Sequence, residues 1–172
     1  MTIRNYQIAS KATCFDLKDL GKNLLHMELG IHTEIGELLD VYKKYLMSGS
    51  KDFNDEQALK EFGDICFYVV NEASFNNFDF DENFKPKMIF SKEANPIMAI
   101  MDFQKIRLLG GFLRYEDVIN HLFSIATVME IDFDKALIIN VEKLKKRYPD
   151  GFSYEKLLEK EARKLSKVEE KV

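Results

Sequence analysis

The strongest constraint on the fold is a helical repeat that runs without interruption from Asn23 to Met47. Apolar side chains recur every three or four residues there, which places them on one face of a helix: Leu24, Met27, Ile31, Ile35, Leu38, Leu39, Tyr42 and Leu46. Three prolines and eight glycines in 172 residues leave few points at which helices must end. The sequence therefore predicts an all-α protein built as a helix bundle.

The other periodic segments predict further helices around this one. They run from Asn54 or Asp55 to about Ala73, over about 95–108, from Tyr115 to Met129, from Ala136 to Arg147 after a cap at Asp132 or Asp134, and over about 153–170. Residues 75–93 show no sustained period, and we expect an irregular connection whose phenylalanines contact the core. This organisation predicts a single domain over residues 1–172, with an insertion at about 75–131.

Composition and charge exclude several classes of protein. A hydrophobic fraction of 46% supplies enough burial to argue against disorder, and a net charge of -4 argues against a nucleic-acid-binding surface. The longest purely apolar run, Ile65 to Val70, is far below the roughly 18 residues of a membrane span. Cys14 and Cys66 indicate no disulfide framework, and the first residues lack the apolar core of a signal peptide. We therefore expect a cytoplasmic protein without a membrane or nucleic-acid partner.

Four carboxylates in two pairs are the feature most suggestive of chemistry. Glu34 and Glu37 are three residues apart on the first long helix, and Glu61 and Asp64 have the same spacing on the second. That spacing puts both members of a pair on one helix face, beside the apolar stripe, where unpaired charges are costly. If the helices pack antiparallel, the pairs face each other and offer the oxygen ligands that Mg²⁺ or Mn²⁺ prefers. The alternative is ordinary surface acids, because 29 acids in 172 residues produce such pairs by chance.

The surroundings of these pairs match a known family. Residues 29–44, LGIHTEIGELLDVYKK, closely resemble the first motif of the MazG-type all-α nucleoside triphosphate pyrophosphohydrolases. Residues 60–68, KEFGDICFY, resemble the second motif, and residues 140–152 resemble the segment that commonly closes the domain. Thr33 stands where a further glutamate is frequent, which leaves the number of bound ions open, and Phe67 stands where tryptophan is usual. Residues 75–131 match no part of the family pattern.

The resemblance implies hydrolysis of a nucleoside triphosphate to a nucleoside monophosphate and pyrophosphate, with Mg²⁺ or Mn²⁺ as cofactor. It assigns the metal and the catalysis to Glu34, Glu37, Glu61 and Asp64, and we expect Glu37 to orient or deprotonate the attacking water. A phosphoribosyl-ATP pyrophosphohydrolase or a dUTP/dCTP-selective hydrolase would share this metal site. A non-catalytic helical protein that binds metal or nucleotide remains the alternative from another class. The family also implies a homodimer or homotetramer.

Several other residues are candidates for holding the substrate. Lys44 extends the first-motif helix, and Asn140, Lys143 and Arg147 share a face of a later helix, from which they could bind phosphate. Tyr68, four residues after Asp64, could contact the nucleotide or belong to the core. The remaining candidates are expected to be packing or surface residues: His26, His32, His121 and Cys66.

Overall fold

The predicted all-α fold is confirmed by a computed structural model that describes residues 1–48, 56–108, 114–149 and 151. Those residues contain no strand. They form α1 (Ile3–Lys11), α2 (Leu20–Ser48), α3 (Glu56–Phe75), α4 (Pro96–Leu108), α5 (Tyr115–Val128) and α6 (Phe133–Arg147). The predicted helix at 153–170 and the predicted cap at Asn54 or Asp55 lie outside the described residues.

Helices α2 and α3 form the centre of the fold and run antiparallel. Gly30 of α2 lies against Tyr68 of α3, while Glu34, later in α2, lies near Glu61, earlier in α3. The stripe predicted for α2 is buried at Met27, Ile31, Ile35 and Leu38. The prediction for Leu46 is wrong, because that side chain is 62% exposed. The packed face continues instead through Tyr42 and Tyr45, which follow Leu38 at helical spacing and leave Leu46 to one side.

Helix α6 approaches α3 closely because Gly63 has no side chain. A Cβ atom at Gly63 would lie 2.8 Å from the Ala136 carbonyl oxygen and 2.8 Å from Asn140 Cβ. The side chain of Asp132 caps α6 by accepting a hydrogen bond from the Lys135 amide, as predicted. The first turn begins at Phe133, three residues earlier than expected. The close approach brings the polar face of α6 to the carboxylates of α3.

Helix α1 was not predicted, and it packs on both α3 and α6. Its N-terminus is capped by Thr2, whose side chain accepts a hydrogen bond from the Asn5 amide. Its buried positions include Gln7, which is 1% exposed. The Gln7 side-chain amide donates to the Phe78 carbonyl oxygen at 2.7 Å, and its oxygen accepts from the Phe80 amide at 3.2 Å. A buried polar group satisfied in this way fixes the start of the irregular segment against α1.

The insertion combines the irregular connection and the two helices expected for it. Phe80 is buried, and the other phenylalanines of the segment pack against the core as predicted: Phe78, Phe84 and Phe90. The connection follows α5, where the Lys87 amide donates to Asn120 Oδ1 at 2.9 Å and the Ile89 amide to Ser124 Oγ at 3.0 Å.

Over the described ranges, every helix is too short or too polar to cross a membrane.

Candidate metal centre and adjoining cleft

Three of the four predicted carboxylates converge between α2 and α3. One oxygen each from Glu34, Glu61 and Asp64 lies within 4.8 Å of the others. Glu61 is only 5% exposed, and the other two side chains are half-buried. Glu37 is exposed and lies outside this cluster. The antiparallel pairing that the spacing suggested therefore brings together three acids, with the fourth at their edge.

The proximity of these acids is visible in their proton affinities. Burial, the largest influence, and the negative charges of Asp64, Glu37 and Glu61 together raise the pKa of Glu34 to about 7. Burial also raises the pKa of Glu61, followed by the charges of Glu37 and Asp64. Glu37 is thus close enough to influence both residues although it is not one of the convergent three. Such mutual repulsion is relieved by a bound cation or by a proton.

Asp64 is held in place by two residues of α6. Lys143 forms an ion pair with both carboxylate oxygens, and the Asn140 side-chain amide donates to Oδ1. Behind Asn140, the buried Tyr6 hydroxyl lies 2.9 Å from Asn140 Oδ1 and 2.9 Å from the Gly63 carbonyl oxygen. When all three acids are ionised, the ammonium of Lys143 leaves the cluster with two negative charges. Carboxylate ligands with that net charge suit a hard divalent cation.

The cluster opens onto a cleft of about 320 Å³ that is rich in aromatic side chains. The segment after α1 forms one wall, and α2, α3 and α6 form the rest. The lining residues are Thr13, Cys14, Phe15, His26, Met27, Glu34, Asp64, Phe67, Tyr68, Leu144, Arg147 and Tyr148. The Tyr68 ring lies directly over Gly30, where a Cβ atom would come within 2.3 Å of it. Burial first, and then the charges of Glu34 and Asp64, raise the pKa of Tyr68 to about 12. This phenol therefore stays protonated beside the carboxylates.

The candidates for substrate binding fall into three groups. Tyr68 and Arg147 line the cleft. Asn140 and Lys143 contact Asp64, and Lys143 also lines a second, more open groove of about 640 Å³ with Lys135 and Lys146. Lys44 pairs with Asp40 at 2.7 Å. It lies ten residues beyond Glu34, about 15 Å along the helix axis.

The sequence did not identify Tyr6, and it did not predict that His26 lies at the cleft. Tyr6 reaches its partners across 57 and 134 residues of sequence, so no local pattern marks it. His26 was expected to be a packing or surface residue, yet it lines the cleft. His26 precedes Glu34 by eight residues, which is about two helical turns. This spacing puts both residues on the same side of α2, and it was the signal that could have identified His26. His32, by contrast, contacts Glu28 at 3.2 Å, and Cys66 is fully buried as expected.

Comparisons of this chain with protein-family models, with curated proteins and with solved structures found no match.

Proposed function

We propose that this protein is a Mg²⁺-dependent hydrolase that converts a nucleoside triphosphate to a nucleoside monophosphate and pyrophosphate. The observation that carries the proposal is the convergence of Glu34, Glu61 and Asp64 at the edge of an aromatic cleft. An acidic cluster alone would suit any hard cation. The cleft beside it adds rings that can stack on a base, which points to a nucleotide.

The residues of the cluster fit the cofactor that the proposal requires. Glu34, Glu61 and Asp64 supply oxygen ligands, and Asn140 and Lys143 orient Asp64 from behind. Mg²⁺, or Mn²⁺ in its place, would neutralise phosphate charge there and lower the pKa of a bound water. Glu37 lies outside the three acids and close to them, and we assign to it the role of accepting a proton from the attacking water.

The proposed reaction is a hydrolysis with a simple balance of atoms. A water oxygen attacks the α-phosphorus, the bond from that phosphorus to the bridging oxygen breaks, and pyrophosphate leaves. One water proton passes to Glu37 and from there to solvent, and the other stays on the monophosphate until that group ionises. The basic side chains of α6, including Lys143 and Lys146 along the second groove, offer positive charge to the pyrophosphate. Most of the acceleration would come from positioning and charge neutralisation, because the protein forms no covalent intermediate.

The direct test is product analysis with each ribo- and deoxyribonucleoside triphosphate in the presence and absence of Mg²⁺. We expect monophosphate and pyrophosphate with Mg²⁺, no turnover in EDTA, and a loss of at least about 100-fold in Glu61→Gln. Asp102→Asn is a matched control, because Asp102 is an exposed acid of α4 that pairs with Lys105. Diphosphate and phosphate as products would overturn the proposal. Binding without turnover would favour the non-catalytic alternative.

Two further expectations belong to the same proposal. The nucleotide panel, extended by phosphoribosyl-ATP, decides whether the enzyme is a general hydrolase, a dUTP/dCTP-selective hydrolase or a phosphoribosyl-ATP pyrophosphohydrolase.

We also propose a homodimer or homotetramer, since Leu25 and Leu29 share a face of α2 and are 59% and 56% exposed. Light scattering on the purified protein measures the mass directly, and a monomer would contradict the expectation.

A further inference from the structure

Among the described residues that line the cleft, His26 is the one with a buried side-chain atom that lacks a hydrogen-bond partner. The other small polar groups there are committed to the backbone: the Thr13 hydroxyl donates to the Ser10 carbonyl oxygen at 3.0 Å, and the Cys14 thiol to that of Phe15 at 3.7 Å. His26 Nδ1 is buried, and no atom of the described residues forms a hydrogen bond with it. A buried ring nitrogen without a partner is costly, so rotation of the ring that turns Nδ1 towards a ligand in the cleft would be favourable.

The imidazole packs against Tyr68, which lines the cleft together with Glu34 and Asp64. Its centroid lies 6.0 Å from that of Tyr68, and the two planes meet at 71° in an edge-to-face arrangement. Tyr68 is itself confined by Gly30 beneath it and by Phe67, whose ring is 5.4 Å away. Burial lowers the pKa of His26, which favours the neutral ring with one donor and one acceptor nitrogen.

A neutral hydrogen-bonding group among aromatic rings suits one part of a nucleotide in particular. The phosphates require positive charge, which a cation bound by the carboxylates and the basic side chains of α6 would provide. The base offers a flat face for stacking and a polar edge of donors and acceptors. We propose that His26 binds the polar edge of the nucleobase and determines which base this protein selects. The inference rests on the proposed function for placing a nucleotide in the cleft.

The test measures binding without chemistry, so that it does not depend on turnover. Each nucleoside monophosphate is titrated into the full-length protein with Mg²⁺ present, for wild type, His26→Leu and His26→Asn. We expect wild type to prefer one base, and His26→Leu to bind that base about 10- to 100-fold more weakly with little change for the others. His26→Asn keeps a donor and an acceptor near Nδ1, and we expect it to retain part of the preference. His32→Asn is the matched control on the same helix, since His32 contacts Glu28.

The outcomes separate this inference from the proposed function. Equal affinities for all bases in wild type, or an unchanged preference in a folded His26→Leu, would overturn the role of His26. The circular dichroism spectrum and melting temperature of each variant establish that it is folded. If monophosphate selectivity depends on His26 while no triphosphate is hydrolysed, the base-binding role stands and the hydrolase proposal fails.

Discussion

Glu34 and Asp64 show how neighbouring carboxylates of one cluster differ in their electrostatic support. Asp64 has an ammonium and an amide directly on its oxygens. Glu34 faces three other acids, and the charge of Lys143 is the weakest of the influences on it. The ionised form of Glu34 is therefore unfavourable in the folded protein without metal. This strain is the expected state of a ligand that is ordered before its cation binds.

The strain on Glu34 predicts a pH-dependent stability in the metal-free protein. Its pKa is raised from 4.5 to about 7, so folding favours the protonated form, and the stability it supports falls as the pH rises from about 4.5 to about 7. Because the side chain is half exposed, we expect an effect of about 1 kcal/mol. In EDTA at pH 8, Glu34→Gln should melt a few degrees above wild type, and the difference should vanish near pH 5. Thermal unfolding by circular dichroism measures both.

Added Mg²⁺ supplies the control for this prediction. Bound cation stabilises the ionised carboxylates, so wild type should gain more melting temperature from Mg²⁺ than Glu34→Gln does. If the two proteins had parallel pH profiles in EDTA and equal gains in Mg²⁺, Glu34 would belong to neither a strained cluster nor a metal site.

At the scale of the helices, two glycines in equivalent secondary structure allow a matched comparison. Gly63→Ala would force α3 and α6 apart, because its Cβ would meet backbone at 2.8 Å. We expect a loss of about 2 kcal/mol in the free energy of unfolding, together with weaker Mg²⁺ binding, since Asn140 and Lys143 move away from Asp64. A Cβ atom added at Gly36 would have no neighbouring atom within 4 Å, so Gly36→Ala should stabilise α2 by up to about 1 kcal/mol. Urea unfolding distinguishes the two, and equal effects would contradict the role given to Gly63.

The sequence was informative about helices whose buried face is apolar and uninformative about the one whose buried face is mixed. The repeat through Met27, Ile31 and Ile35 predicts α2 to within a few residues. Helix α1 has the same spacing at its buried positions, but two of them are Gln7 and Ser10, so hydrophobic periodicity does not reveal it. The Gln7 side chain is satisfied by partners more than sixty residues away, which only the folded chain brings together.

The candidate site shows the same contrast between features that local spacing predicts and features that depend on packing between distant segments. Three-residue spacing, combined with antiparallel packing of the two helices, predicts that the carboxylate pairs face each other, and Glu34, Glu61 and Asp64 do converge. The exclusion of Glu37 from the cluster depends on the rotation of α2 about its axis, which spacing alone does not fix. The cleft could not be predicted, since its wall at residues 13–15 comes from the segment after α1, whose position depends on the packing of that helix.

For the molecule as a whole, the arrangement of the insertion depends on one buried ion cluster. Arg107 of α4 contacts Glu28 of α2 and Glu72 of α3, and the distances from its Nη2 to the two Glu72 oxygens are 2.9 and 2.8 Å. Arg107 and Glu72 are 12% and 14% exposed. Glu28 and Glu72 form a second carboxylate pair between α2 and α3. In α2, Gly30 lies between this pair and the candidate metal ligand Glu34. Here an arginine from the insertion neutralises the pair, which ties α4 to the two helices of the site.

This arrangement predicts that Arg107→Met destabilises the protein far more than a surface charge would. The substitution leaves Glu28 and Glu72 close together without their cation, and we expect a loss of about 3 kcal/mol in urea unfolding at pH 7. Lys105→Met is the matched control, because Lys105 pairs at 3.6 Å with an exposed Asp102 and should cost well under about 1 kcal/mol. Adding Glu72→Gln to Arg107→Met removes one of the two unpaired charges, so the double variant should recover part of the loss. A double variant no more stable than Arg107→Met would show that charge repulsion does not cause the loss and that the arginine positions α4 by packing.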